Sequence, residues 1–250
     1  MYDEYFTFNE RSTIEFGMAV EKRPTRKTPK RRRTAISIPG KNGDLHFDED
    51  AYENVDMTYE VWFRGGLPTP EQAHAVKSWL LAPKGYSRLE DKYDPAHFYL
   101  ASFAGPMDIA DILGRYGRCK IKFDCDPRCF LKTGEFPFDF DNANEGTIYN
   151  PTAFTALPLI YLYGSGAGTV RINDVTVDVL ELNGSLILDC ETENCYYNGA
   201  PYYGMGDGPV ENKNSNIYAP QFPVLKPGIN TWKFTGDIDV LRVIPRWWEP

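Results

Sequence analysis

The sequence predicts a mainly β protein of two units, interrupted by one short helix. Composition is the first support. Aromatic residues are 14% of the 250, with 16 Tyr and 15 Phe among 21 Gly and 19 Pro, which favours strands and turns over long helices. Pattern is the second: from Leu157 onward, short apolar runs alternate with Gly, Asn or Asp turns at roughly eight- to twelve-residue intervals, as in a β-sandwich. The third is a complete helix grammar found only over Thr69–Leu81, TPEQAHAVKSWLL. Thr69 is placed to cap, Pro70 to open the first turn and Gln72 to complete a capping box. Ala73, Val76, Trp79 and Leu80 share one face and Pro83 ends the run, so the helix over 69–81 is a scaffold that buries Trp79.

Tyr5–Val20 reads as a strand, a turn at Asn9–Ser12 and a second strand. Lys22–Arg33, KRPTRKTPKRRR, follows as an extended arm or exposed hairpin, since Pro24 and Pro29 forbid a continuous helix and discourage a central strand. Thr34–Pro39 is a short strand, Gly40–Asp44 a tight turn and Leu45–Phe47 another short strand. Met57–Arg64 alternates cleanly, with Tyr59, Val61 and Phe63 on one side. After the helix comes Arg88–Glu90; His97–Phe103 and Gly117–Asp126 then read as strands, the last closing the first unit, and Gly105–Leu113 as a connection. Phe136–Asn150 is acidic, aromatic and rich in Asn and Gly, as a linker or entry segment would be. Short strands are then expected at Leu157–Tyr163, Gly168–Ile172, Val175–Leu180, Ser185–Asp189, Thr231–Phe234 and Asp237–Val243, with a long Tyr-rich loop over Glu191–Asn216. The units are placed at residues 1–133 and 134–250.

Charge is unevenly spread. The arm holds eight of the 27 basic residues (Lys22, Arg23, Arg26, Lys27, Lys30, Arg31, Arg32 and Arg33) and no acid. Removing it takes the rest of the chain from −8 to −16. An acidic body would repel a phosphate backbone, and the arm lacks the aromatic platforms of single-strand readers, so contact with an acidic neighbouring subunit is the expected role.

The five cysteines are odd in number and Met1 begins no signal peptide, so free thiols and folding in a reducing cytoplasm are expected. No run approaches a membrane span. Cys119, Cys125 and Cys129 have the wrong count and spacing for structural zinc, with no His near them in sequence. Gly164–Gly168 leads into a strand rather than a helix, so it reads as a hairpin turn and not a phosphate cradle. Asn183–Ser185 reads as a turn as well. His46, His74 and His97 are scattered without a nucleophile elbow, so no catalytic residue, metal ligand or cofactor site is expected. Tyr196, Tyr197, Tyr202 and Tyr203 are candidates for contact with a partner or a glycan, through their rigid amphipathic rings.

Several stretches carry a resemblance in a fixed order. They are Phe16–Val20; the turn Ile38-Pro39-Gly40-Lys41-Asn42-Gly43; Val61-Trp62-Phe63; Ser78-Trp79-Leu80; Leu89-Glu90-Asp91; and His97-Phe98-Tyr99. Asn150–Phe154, Pro158–Gly164 and Phe222–Asn230 continue it. Together they make the chain similar over almost its whole length to the distal tail proteins of siphophages (the Dit family), hub components of the phage tail tip. The charge density of Lys22–Arg33 and the Tyr/Gly loop after Asp189 depart from the pattern. The resemblance implies an N-terminal β-sandwich-like ring domain with one helix and an extended belt hairpin. It also implies a C-terminal β-sandwich that is galectin-like, akin to a carbohydrate-binding module. The function it implies is structural: a homo-hexameric ring at the virion tail tip, assembled in the bacterial cytoplasm. Such a ring joins the tail tube protein to a tail-associated lysin, tail fibre or receptor-binding protein, and DNA crosses its lumen in transit. The alternative expectation is recognition of host surface glycans by the C-terminal sandwich.

Overall fold

The computed structural model describes residues 4–105, 117–141, 143–197 and 210–250. The fold is mainly β, and the chain divides into two compact units, Met1–Cys129 with Pro250, and Phe130–Glu249. No helix among the described residues is long and apolar enough to cross a membrane.

The first unit contains β1 (Phe6–Phe8), β2 (Arg11–Ser12), β3 (Met18–Val20), β4 (Arg31–Ser37), β5 (Asp44–Tyr52) and β6 (Val55–Phe63). The helix α1 (Pro70–Leu81) comes next, then β7 (Ser87–Asp91), β8 (His97–Phe103) and β9, which starts here and spans Arg118–Leu131. Its main sheet runs β2-β1-β7-β8-β9-β6-β3. The sheet curls back on itself, since Val20 N in β3 donates to Glu4 O, just ahead of β1, at 2.8 Å. Alternation decides what faces inward: Val55, Met57, Tyr59, Val61 and Phe63 of β6 are all buried. Between β2 and β3 a 3₁₀ turn, Thr13–Phe16, stands where a plain strand was expected, because Ser12 and Glu15 form a local capping box.

The helix forms as its sequence dictates. Thr69 caps it, Gln72 closes the capping box, and Ala73, Val76, Trp79 and Leu80 are the buried positions. Trp79 packs on Phe6, Phe8 and Phe16, with ring centroids 4.6 Å from Phe16. Its indole N–H donates to Phe8 O at 2.9 Å, so burying the ring leaves no orphaned donor.

Among the described residues, strands β4 and β5 pair only with each other, as a two-stranded hairpin of their own. Strand β5 is longer than Leu45–Phe47 because its pairing continues along the basic residues of β4, with Arg33 across from Asp48 and Arg31 across from Tyr52.

The second unit holds β10 (Phe138–Phe140), β11 (Glu145–Asn150), β12 (Leu159–Ile172), β13 (Val175–Asp189), β14 (Asn194–Tyr197), β15 (Glu211–Asn212), β16 (Ile217–Tyr218), β17 (Gly228–Ile244) and β18 (Trp248–Glu249). The six short strands of the sequence reading merge here into three long ones. Gly164–Gly168 is not a turn but the bulged middle of β12, and Asn183–Ser185 lies within β13. Glycine is needed where β12 crosses β17: Gly164 has φ 153°, and a Cβ there would overlap the Asp237 carbonyl oxygen. The opposed registers put the irregularities of β12 and β17 at the same level, around Gly164–Gly168 and Gly236–Ile238.

Each long strand therefore serves two half-sheets. One half pairs β10 with Leu241–Val243 and β14 with Ile187–Asp189; the other pairs β11 with Gly228–Lys233 and β16 with Asp178–Val179. Side chains of both halves, among them Ile160, Leu162, Val170, Val177, Leu188, Trp232, Phe234 and Leu241, form one core. Within the stretch expected to be a linker, β10 and β11 are thus sheet: they find their partner in β17, far along the chain, and carry no local sign of it.

Candidate assembly surface

The basic arm leaves β3 at Glu21, whose N–H still bonds Glu60 O of β6 at 2.8 Å. Lys22 then pairs with the Glu60 carboxylate at 2.9 Å, and Lys120 of β9 pairs with the same group at 3.1 Å. Those two bonds hold the Glu60 carboxyl below its usual range.

Arg26 turns inward and latches the arm. Its guanidinium binds both oxygens of Asp91, at 2.9 and 2.8 Å, and also bonds Asp94. The Asp91 side chain is 1% exposed. It further accepts the Tyr59 hydroxyl at 2.8 Å and the N–H groups of Tyr93 and Asp94, so its lone pairs are well used. Burial raises the Tyr59 hydroxyl well above its ordinary value, and the facing Asp91 adds to this. Burial works against the charge of Arg26, yet the bonds to Asp91 and Asp94 raise its pKa. Likewise burial would raise Asp94, but His97, whose Nδ1 lies 2.7 Å away, and Arg26 outweigh it and hold the carboxyl low.

Beyond the latch the arm becomes the hairpin. Lys30 pairs with Glu53 at 3.0 Å, and Arg31 bonds Asp48 at 3.2 Å and the Tyr52 hydroxyl at 2.8 Å. Lys22, Arg26, Lys30 and Arg31 are thus engaged within the chain. Arg23, Lys27, Arg32 and Arg33 form no ion pair among the described residues. The register sets Ile36 against Leu45 and Thr34 against Phe47 on one face of the hairpin. That face stays open to solvent, with Ile36 47%, Leu45 40% and Phe47 52% exposed.

The second unit carries other candidates. Tyr196 packs partly buried against the cluster of Tyr161, Tyr163, Ile187 and Val240, beside Tyr197 in β14. Tyr202 and Tyr203 lie outside the described residues. An open groove of about 670 Å³ is lined by Glu145, Thr147, Arg171, Asn173, Lys226 and Lys233, among others. Glu145, Lys233 and Arg171 form one rung across β11, β17 and β12, and the exposed pair Tyr149 and Ile229 lies four rungs away on the same face. Neither the groove nor the Arg26 latch was visible as a site in the sequence. Leu89-Glu90-Asp91 and His97-Phe98-Tyr99 marked the latch residues only as parts of a resemblance.

All five cysteines are free. Burial pushes the thiols of Cys119 and Cys125 up to about 12, and that of Cys195 likewise to about 12, which suits packing rather than nucleophilic attack.

No family model matches this chain, and no curated protein matches it either. Among solved structures it is similar to the SPP1 Dit protein (gp 19.1), described as a paradigm of the hub adsorption apparatus in phages infecting Gram-positive bacteria. The two share 12% sequence identity with a TM-score of 0.71, over 97% of this chain and 98% of the other. From end to end, this chain has the fold of that distal tail protein.

Proposed function

We propose that this chain is a structural component of a phage tail tip. Copies of it close into a ring, six in number as the resemblance implies, between the tail tube and the host-adsorption apparatus, and the genome crosses the ring's lumen. The observation that carries this reading is the β4–β5 hairpin. An isolated two-stranded hairpin is marginal in water, and this one leaves an apolar face uncovered beside Arg32 and Arg33. A neighbouring copy supplies both things it lacks, an apolar cover and an acidic surface, and head-to-tail repetition of one such contact closes a ring. The end-to-end likeness to a hub protein supports the same assignment. An acidic body also suits a channel along which DNA slides without sticking. The first unit builds the ring; the second carries adsorption proteins such as a tail-associated lysin, fibre or receptor-binding protein. The role is structural rather than catalytic.

The test is the double variant Ile36→Asp with Phe47→Asp. Both side chains are exposed in the single chain, so its melting temperature should stay close to wild type, while self-assembly is lost. Assembly undiminished in that variant would remove the hairpin from the interface.

A second reading, compatible with the first, gives the outer groove of the second unit a saccharide. The motivating observation is the polar rung of Glu145, Lys233 and Arg171 in the groove, with Tyr149 exposed beyond its edge four residues along β11 on the same face, a combination of polar groups and stacking surface. Tyr149→Ala should weaken binding of host cell-wall glycan to the full chain. Absence of any glycan binding by wild type disposes of this reading and leaves the first untouched.

A further inference from the structure

Two sequence neighbours, Asp94 and His97, meet the distant Cys129 beside the foot of the arm. Asp94 lies between β7 and β8, His97 opens β8, and Cys129 lies near the end of β9. One potential ligand atom from each falls within 4.8 Å of the other two. A carboxylate, an imidazole and a thiol form the donor set of a divalent ion of borderline softness, Zn²⁺ foremost. Bonds of about 2.0–2.3 Å to such an ion need only side-chain adjustment from atoms already this close.

The surroundings fit a built site. Arg26 binds one oxygen of Asp94 and leaves the other on the side of His97. The Tyr99 hydroxyl bonds Cys129. Outer contacts of this kind orient metal ligands. Charge closes as well: a dication balances the Asp94 carboxylate and a Cys129 thiolate, while Arg26 is already balanced by Asp91. Cys129 is buried and Asp94 and His97 are partly exposed, which provides a dry floor and a path of entry.

We infer that Asp94, His97 and Cys129 bind a single zinc ion, tying the β7–β8 corner to β9 where the arm is latched, with water in the fourth position. Binding releases the thiol proton of Cys129 and places the imidazole proton of His97 on Nε2, so that Nδ1 coordinates. The sequence reading dismissed zinc because no His stood near the cysteines in the chain; the fold brings one there.

The test uses the tag-free full chain titrated with Co²⁺, a spectroscopic stand-in for Zn²⁺. The expected result is a near-ultraviolet thiolate-to-cobalt band that saturates at one ion per chain and disappears when Zn²⁺ is added. Cys129→Ser and His97→Ala should each abolish that band, with the fold checked by circular dichroism, and Cys119→Ser should keep it. Tyr99→Phe should weaken binding about ten- to a hundredfold, as loss of an outer contact does. No thiolate band in wild type overturns the inference, and so does an undiminished band in folded Cys129→Ser or His97→Ala.

Discussion

Arg26 is the residue on which the arm depends. Its partner Asp91 sits at 1% side-chain exposure, so removing the guanidinium strands a buried carboxylate. Arg26→Ala should therefore destabilise the protein by about 3 kcal/mol, at the lower end for a broken buried pair because Asp91 keeps its bond from Tyr59. Denaturant unfolding of the two proteins at neutral pH measures this, and a difference of only a few tenths would contradict the latch. Asp94 sets a pH dependence of definite sign. Its folded-state pKa is held below the ordinary aspartate value, so the stability it contributes is complete above that ordinary value. It is lost as pH falls through the lower, folded-state pKa. Melting temperatures of wild type and Asp94→Asn should differ most near neutrality and converge in strong acid; a constant gap would show that Asp94 ionisation is not involved. Little of this was legible in the chain. The basic block stood out, but the acids that Arg26 meets lie more than sixty positions away, and no local pattern distinguishes Arg26 from its seven basic neighbours.

At the scale of elements, local grammar and tertiary context parted ways. The helix was readable to its cap because every signal in it is local: Thr69, Pro70, Gln72 and a buried stripe ending in Trp79 and Leu80. Trp79→Ala should cost on the order of 3–5 kcal/mol, since it empties a site bordered by Phe6, Phe8 and Phe16 and strands the Phe8 carbonyl. Chemical denaturation checks this, and preserved stability would refute the packing role. The long strands were misread for a physical reason. Glycine signals a turn in isolation, yet here it lets β12 continue as one strand through a shift of its register with β17. Gly164→Ala should thus be strongly destabilising, because its Cβ meets the Asp237 backbone. Gly184→Ala, at φ 84° with nothing within 4 Å, should lose only about 1–2 kcal/mol of backbone preference. Equal melting temperatures for those two variants would argue against the crossing as the cause. The strands β10 and β11 escaped notice because their pairing is decided by β17, roughly a hundred positions on.

For the whole molecule, the mainly β class and the single α-helix among the described residues followed from composition and punctuation. The resemblance supplied the architecture that those signals alone left open. The proposed joining of copies rests on surfaces that a single chain displays without satisfying. Half of the basic arm is neutralised internally. The unpaired half and the apolar hairpin face point to a neighbour of the same kind, with an acidic body of −16 once the arm's charge is set aside. The most direct measurement is the size and shape of the full-length protein, by light scattering and negative-stain imaging, alone and with its tail tube protein. The account predicts closed rings that the Ile36→Asp, Phe47→Asp variant cannot form. A strict monomer at high concentration in both conditions would contradict it.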